Sequence, residues 1–205
     1  MHTMTRRLLA AAGFALVLGA ATAWAQNPPT VRVRGTIEKV DGDTLIVRSR
    51  DGAELKVVPA SNPLIIAIVK ATVADIKQGS FVGVTGMPQP DGSQRAIEVH
   101  IFPESMRGTG EGHYPWDLRP QSTMTNANVE QTVTAMEGQT LTLKYKDGEK
   151  KIIVPADAVI VAYVPGDKAE LKPGTKIIVA ATKQEDGSLR TPRINYGKDG
   201  LTPPM

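Results

Sequence analysis

Cysteine is absent from the 205 residues. That absence excludes disulfides, thiolate metal centres and lipid attachment at a cleavage-site Cys. Histidine is nearly absent too, with His2, His100 and His113 the whole supply. Aromatic residues make up 4%. Phe81, Phe102, Tyr145, Tyr163 and Tyr196 are scattered, and no strand pattern sets two of them on one face, as a stacking platform for single-stranded nucleic acid or oligosaccharide requires. There is no Gly-x-Ser-x-Gly elbow, and Ser49, Ser61, Ser80, Ser93 and Ser188 fall at turns or strand starts, where hydroxyls satisfy backbone groups. Machinery for nucleophilic catalysis is therefore not visible, and the chain reads as a non-enzyme. After residue 25 no apolar run reaches the roughly 18 residues of a membrane helix.

What is present begins with MHTMTRRLLAAAGFALVLGAATAWA. Arg6 and Arg7 precede an apolar run from Leu8 to Ala21 and a small-x-small ending at Ala23-Trp24-Ala25. This three-part order is that of a signal peptide cleaved after Ala25, which places the mature chain in the periplasm or outside the cell with no stable membrane span. The paired arginines fit either the general secretory or the twin-arginine route, and an uncleaved anchor is the alternative reading. The pI of 9.1 invites a nucleic-acid partner. Removing Arg6 and Arg7 with the leader, however, leaves 22 Lys+Arg against 21 Asp+Glu. The cation surplus that releases counterions from a phosphate backbone is missing. Arg32/Arg34, Arg48/Arg50 and Lys144/Lys146/Lys150/Lys151 alternate with other residues as solvated strand faces do. The expected partner is a protein or a small ligand, not a nucleic acid.

An internal repeat organises the rest. Gly35 to Ala60 lies over Gln131 to Ala156 at constant spacing, Ile37 falling on Val133, with about a third of positions identical. After a one-residue gap, Ile65, Ala67 and Val69 fall on Ile160, Ala162 and Val164, and Ala74 to Ser80 on Ala169 to Thr175. Asp-Gly pairs at 51/52, 147/148, 91/92 and 186/187 punctuate β-branched runs, the pattern of hairpins. Each unit reads as three strands, an apolar segment, a short helical turn and a closing hairpin. That order and length suit a small closed barrel of the oligonucleotide/oligosaccharide-binding (OB) type. The expectation is an all-β protein: two tandem OB-like β-barrels over 31–102 and 128–198, a Gly/Pro-rich linker over 103–127, and a tail over 199–205.

The repeat resembles DUF5666, an exported domain family of unknown function. The resemblance rests on Gly35-Thr36-Ile37 with Val40, Gly42, Leu45 and Val47, then Asp75-Ile76-Lys77-Gln78-Gly79. The second copy has Val133, Gly138, Leu141, Leu143 and Glu170-Leu171-Lys172-Pro173-Gly174, and departs at Gln131 where the glycine is missing. The resemblance covers both repeats but not the middle segment, and implies an OB-like module without an assigned enzymatic role. Similar exported sequences carry metal-transport labels, which could apply here only to a soluble accessory factor that binds or delivers a metal ion.

Two groups of residues could carry chemistry. Glu98 and His100 are two apart on the last strand of the first repeat and share a face; such pairs are mostly solvated, or they begin a metal site. Their matched positions, Arg193 and Asn195, do not preserve the pair. The middle segment concentrates rarer residues: Glu111, His113 and Asp117 offer oxygen and imidazole ligands for a divalent metal ion, and Tyr114 and Trp116 offer aromatic contacts to a ligand. The bland reading there is an ordered linker whose aromatics tuck against a barrel.

Overall fold

The computed structural model describes residues 30–135 and 138–205. The expected signal peptide lies outside them. The strands are β1 (Thr30–Asp41), β2 (Thr44–Ser49), β3 (Glu54–Lys70), β4 (Phe81–Pro88), β5 (Gln94–Ile101), β6 (Gly112–Pro115), β7 (Thr123–Ala135), β8 (Gly138–Tyr145), β9 (Gly148–Pro155), β10 (Val159–Pro165), β11 (Lys176–Lys183) and β12 (Leu189–Gly197). Single 3-10 turns at Val73–Asp75 and Lys168–Glu170 stand where the repeat predicts helical turns. Gly92 and Gly187 take φ of 81° and 81° at the hairpin tips, a conformation that glycine adopts without a Cβ penalty. In both turns the preceding aspartate accepts from the backbone N–H and hydroxyl of the following serine, Ser93 or Ser188.

The chain is all-β and contains a closed five-strand barrel with further strands attached. The barrel runs β1, β2, β3, β12, β11 and back to β1, the β3–β12 pairing being parallel and the others antiparallel. A second ring of pairings runs β5, β4, β7, β8, β9 and closes through a short parallel contact, Gln94 opposite Ile152 and Arg95 opposite Ile153. Neither ring is drawn from one repeat. The meander of the first repeat is completed by the last hairpin of the second, and the meander of the second by the last hairpin of the first. The cores follow the same exchange: Val33, Ile37, Val47 and Val57 pack with Ile177, Val179, Leu189 and Ile194, while Val82, Val84 and Val99 pack with Leu141, Leu143, Ile152 and Val154. Burying each such side chain contributes about 1.5–3 kcal/mol.

The structure also corrects the repeat alignment. Ile37 exchanges backbone hydrogen bonds with Gly174 and Thr175, and Val129 exchanges the same bonds with the matched Gly79 and Ser80. Both strands bulge immediately afterwards. Ile37 therefore corresponds to Val129, not Val133, and Gly35 to Ala127 rather than Gln131, so the second copy still lacks the glycine but at a different position. Ile37 pairs with Val47 but Val129 with Leu143, which makes the β7–β8 hairpin four residues longer. Val133 sits on that overhang, 58% exposed, whereas Val129 is 1% exposed. Val129→Ala should cost about 2 kcal/mol by loss of buried methyls, and Val133→Ala less than about 0.5 kcal/mol. Urea unfolding of the two variants checks the register, and equal costs would restore the simpler alignment.

The segment expected as a linker is folded onto the sheet. β6 pairs with β7, and Thr123 to Ala127 are already strand, paired with β4. The tail is docked as well: Arg34 Nε donates to the Met205 carbonyl at 2.9 Å, an Arg50 guanidinium N–H donates to the Pro203 carbonyl at 2.8 Å, and Pro203 and Met205 are buried.

Candidate functional site

The second half of β3 lies antiparallel to β10, with Ile68 opposite Tyr163. These are matched positions of the two repeats, so an approximate two-fold axis passes through the pair. β12 lies parallel beside β3, and β5 parallel beside β10. Arg193 faces Leu64 and Asn195 faces Ile66 across one pairing, and Glu98 faces Val159 and His100 faces Val161 across the other. Strand alternation turns Ile194 and Tyr196 into the barrel and Val99 into the second ring. Arg193, Asn195, Glu98 and His100 are left on the seam between the rings.

Glu98 is 0% exposed and His100 3%, so the expected solvated pair is among the most deeply buried polar groups of the described residues. The physical reason is the exchange, which lays a second layer over a strand face that an isolated barrel would leave in water. The Thr85 hydroxyl donates to Glu98 Oε2 at 3.1 Å, and His100 Nδ1 meets Glu98 Oε1 at 2.9 Å. Both carboxyl oxygens are thereby satisfied, as burial of such a group requires. The imidazole is stacked on Tyr163, 4.9 Å between centroids at 12°, and meets Phe102 edge-on at 4.8 Å. Phe81 and Phe102, distant in sequence, join this cluster, and its rings are buried rather than offered for stacking. Burial, reinforced by the Glu98 charge, holds the Tyr163 hydroxyl un-ionised far above the usual phenol range. Gly83 supplies the room: a Cβ there would collide with His100 Nε2 and crowd Asn126 Oδ1.

Beside this pair a cavity of about 140 Å³ opens, with Arg32, Tyr114, Trp116, Asn126, Arg193 and Asn195 on its wall. Asn126 Nδ2 donates to the Thr109 carbonyl at 3.1 Å and to the Tyr114 hydroxyl oxygen at 3.2 Å, which turns Oδ1 away from both. Asn126 Oδ1, Asn195 Oδ1 and Trp116 Nε1 are buried without a hydrogen-bond partner. Leaving one such group unpaired costs about 1–3 kcal/mol. Arg193 has no ion-pair partner among the described residues. The Arg32 guanidinium lies 3.7 Å over the Trp116 ring.

The middle-segment residues divide. Tyr114 and Trp116 reach the cavity wall, but Glu111, His113 and Asp117 are not brought together. Glu111 Oε1 accepts from the Lys146 backbone N–H at 3.0 Å, and His113 Nδ1 meets the Thr125 hydroxyl at 2.8 Å. Asp117 is bound by Arg34 at 2.6 Å and Arg32 at 3.2 Å, and the Arg34 hydrogen bond leads the effects that hold its carboxyl below the ordinary range. No three His, Cys, Asp or Glu side chains among the described residues are grouped to hold a metal ion. A divalent ion does not fit this donor set, whose one aspartate is already neutralised by two guanidinium groups.

The sequence reasoning missed Asn126 and Thr85, read Arg32 as part of a solvated strand face, and discounted Arg193 and Asn195. One signal was available: Gly83 interrupts the Phe81 to Val84 apolar run, and a glycine inside a strand marks the close approach of another group.

His113 gives a pH-dependent prediction. Burial, with a smaller push from Lys150, lowers its pKa below the ordinary 6.5. The unfolded chain takes up this proton before the folded chain does, so stability falls as pH drops below the unfolded value. His113→Gln should flatten that part of the profile in urea unfolding between about pH 7.5 and about 5. An unchanged slope would assign the dependence to other groups.

The fold and seam define an all-β chain with a small cavity of mixed apolar and polar lining between two exchanged rings. No family model, curated protein or solved structure matches the chain.

Proposed function

We propose that the chain is an exported, non-catalytic binding module in which each ring is an OB-like barrel assembled by exchange of half-repeats, and that the seam cavity holds a small polar ligand. The observation that carries this reading is the set of buried, unpartnered polar atoms around the cavity, Asn126 Oδ1, Asn195 Oδ1 and Trp116 Nε1. Native chains rarely leave buried polar atoms unpaired without a partner that satisfies them. Export rests on the leader pattern of residues 1–25, and the OB-like assignment on the strand count together with the resemblance to DUF5666. Binding is favoured over catalysis because the Glu98–His100 pair, although arranged as a base and its orienting carboxylate are, has no hydroxyl bonded to His100 Nε2 among the described residues. The metal-accessory reading has no grouped ligands to support it.

The test is a ligand-detected NMR screen of neutral, anionic and cationic fragments against the chain from Gln26 and against its Ala180→Phe variant. Ala180 is exposed at the cavity wall, so the larger side chain should close the mouth without disturbing the core. Fragments bound by the first protein and released from the second are the expected result. An absence of binders, or binders indifferent to the substitution, would remove the cavity as a site.

A further inference from the structure

The two walls of the cavity are matched by the two-fold, yet their chemistry has diverged. Where β5 carries Glu98 and His100, β12 carries Arg193 and Asn195. The β12 wall presents a guanidinium without an ion-pair partner, and Trp116 adds an N–H donor with nothing to receive it. The opposite need is just as plain: Asn126 Oδ1 and Asn195 Oδ1 are acceptors with nothing to accept from. The cavity wall therefore offers donors suited to an anion together with acceptors that need N–H or O–H groups.

Resting on the cavity reading above, we propose that the ligand is a small carboxylate bearing a hydroxyl or amino donor beside it, its carboxylate on Arg193 and the Trp116 indole N–H, and its donor on Asn126 Oδ1 and Asn195 Oδ1. A neutral polyol satisfies the acceptors but leaves Arg193 bare. A simple anion pairs with Arg193 but leaves the two amide oxygens unmet. A cation meets the field of Arg32 and Arg193. The cavity is small, about 140 Å³, and open on one side to solvent, which suits a short acid of a few carbons. Buried groups built to bond a substrate hydroxyl or amine reject analogues lacking it by large factors, so the donor-bearing acid should be well separated from a small acid without the donor.

The experiment titrates the chain from Gln26 with L-lactate, L-alanine, acetate, lactamide and glycerol, following backbone amides by two-dimensional NMR. Saturable shifts at Asn126 and Asn195 with L-lactate or L-alanine are expected, with acetate and lactamide at least about ten-fold weaker. Whichever of the two acids binds identifies the donor as hydroxyl or amine. Arg193→Gln should weaken that binding at least ten-fold, while the amide spectrum of the barrel interior stays unchanged. Lactamide or glycerol binding as well as the acids, acid binding indifferent to Arg193→Gln, or no shift from either acid overturns the carboxylate assignment. If fragments still bind in the broader screen, the cavity reading survives that failure; if nothing binds there either, both fall together.

Discussion

Residues 26–107, produced without the second repeat, are expected to give no monomer with a cooperative unfolding transition. The barrel around Ile37, Val47 and Val57 is closed by β11 and β12, which bring Ile177, Val179, Leu189, Ile194 and Tyr196 to its interior. Five such side chains at about 1.5–3 kcal/mol each contribute on the order of 10 kcal/mol, comparable to the whole stability of a typical domain. Stripped of them, the first meander has two unpaired edges and half a core. Two copies can repair this only by trading hairpins as the two repeats do within one chain, so a concentration-dependent dimer is the one folded product expected. Size-exclusion chromatography with light scattering, followed by circular dichroism melts, separates these cases. A sharp melt from a monomer would mean that a repeat can close on itself and that exchange is not obligatory.

Glu98→Ala should be the costliest single truncation at the seam. It strips the partner from the Thr85 hydroxyl and from His100 Nδ1 and leaves a void at a position 0% exposed. Breaking a buried, hydrogen-bonded polar pair by removing one member costs about 3–5 kcal/mol, which in a chain of this size lowers Tm by roughly 6–20 °C. Glu98→Gln keeps the volume and one acceptor and should cost less than half as much. Thermal unfolding by circular dichroism distinguishes them. A loss of under about 2 °C for Glu98→Ala would show that water reaches the pair and compensates it.

Most strand positions and hairpin tips are legible in the sequence because they depend on neighbours: Asp51-Gly52, Asp91-Gly92 and Asp186-Gly187 announce their turns, and the runs between them alternate. What is not legible depends on partners far along the chain. The segments Ala74 to Ser80 and Ala169 to Thr175 are so alike that each hairpin suits either meander, and nothing local states which one it joins. The alignment error at Ile37 has a similar origin, since a period of two accepts a shift of four residues without turning any side chain to the wrong face. Glu98 and His100 are visible as a pair but not as buried, because the layer that covers them comes from the exchange. Tyr114 and Trp116 stand out by rarity, while Asn126 and Asn195 look like any strand amide until their missing partners are seen.

The interlocked pairing also orders events in time. As the chain emerges from its N-terminal end, the ring of β4, β5, β7, β8 and β9 has all its strands by Pro155, whereas the barrel that contains β1 waits until Gly197. Strands β1 to β3 are the first made and among the last to be enclosed. Through that interval β1 and β3 present open edges, the surfaces on which chains pair wrongly with one another. Refolding should therefore lose yield steeply with protein concentration, and factors that shield strand edges should matter most for the first forty residues of the folded part.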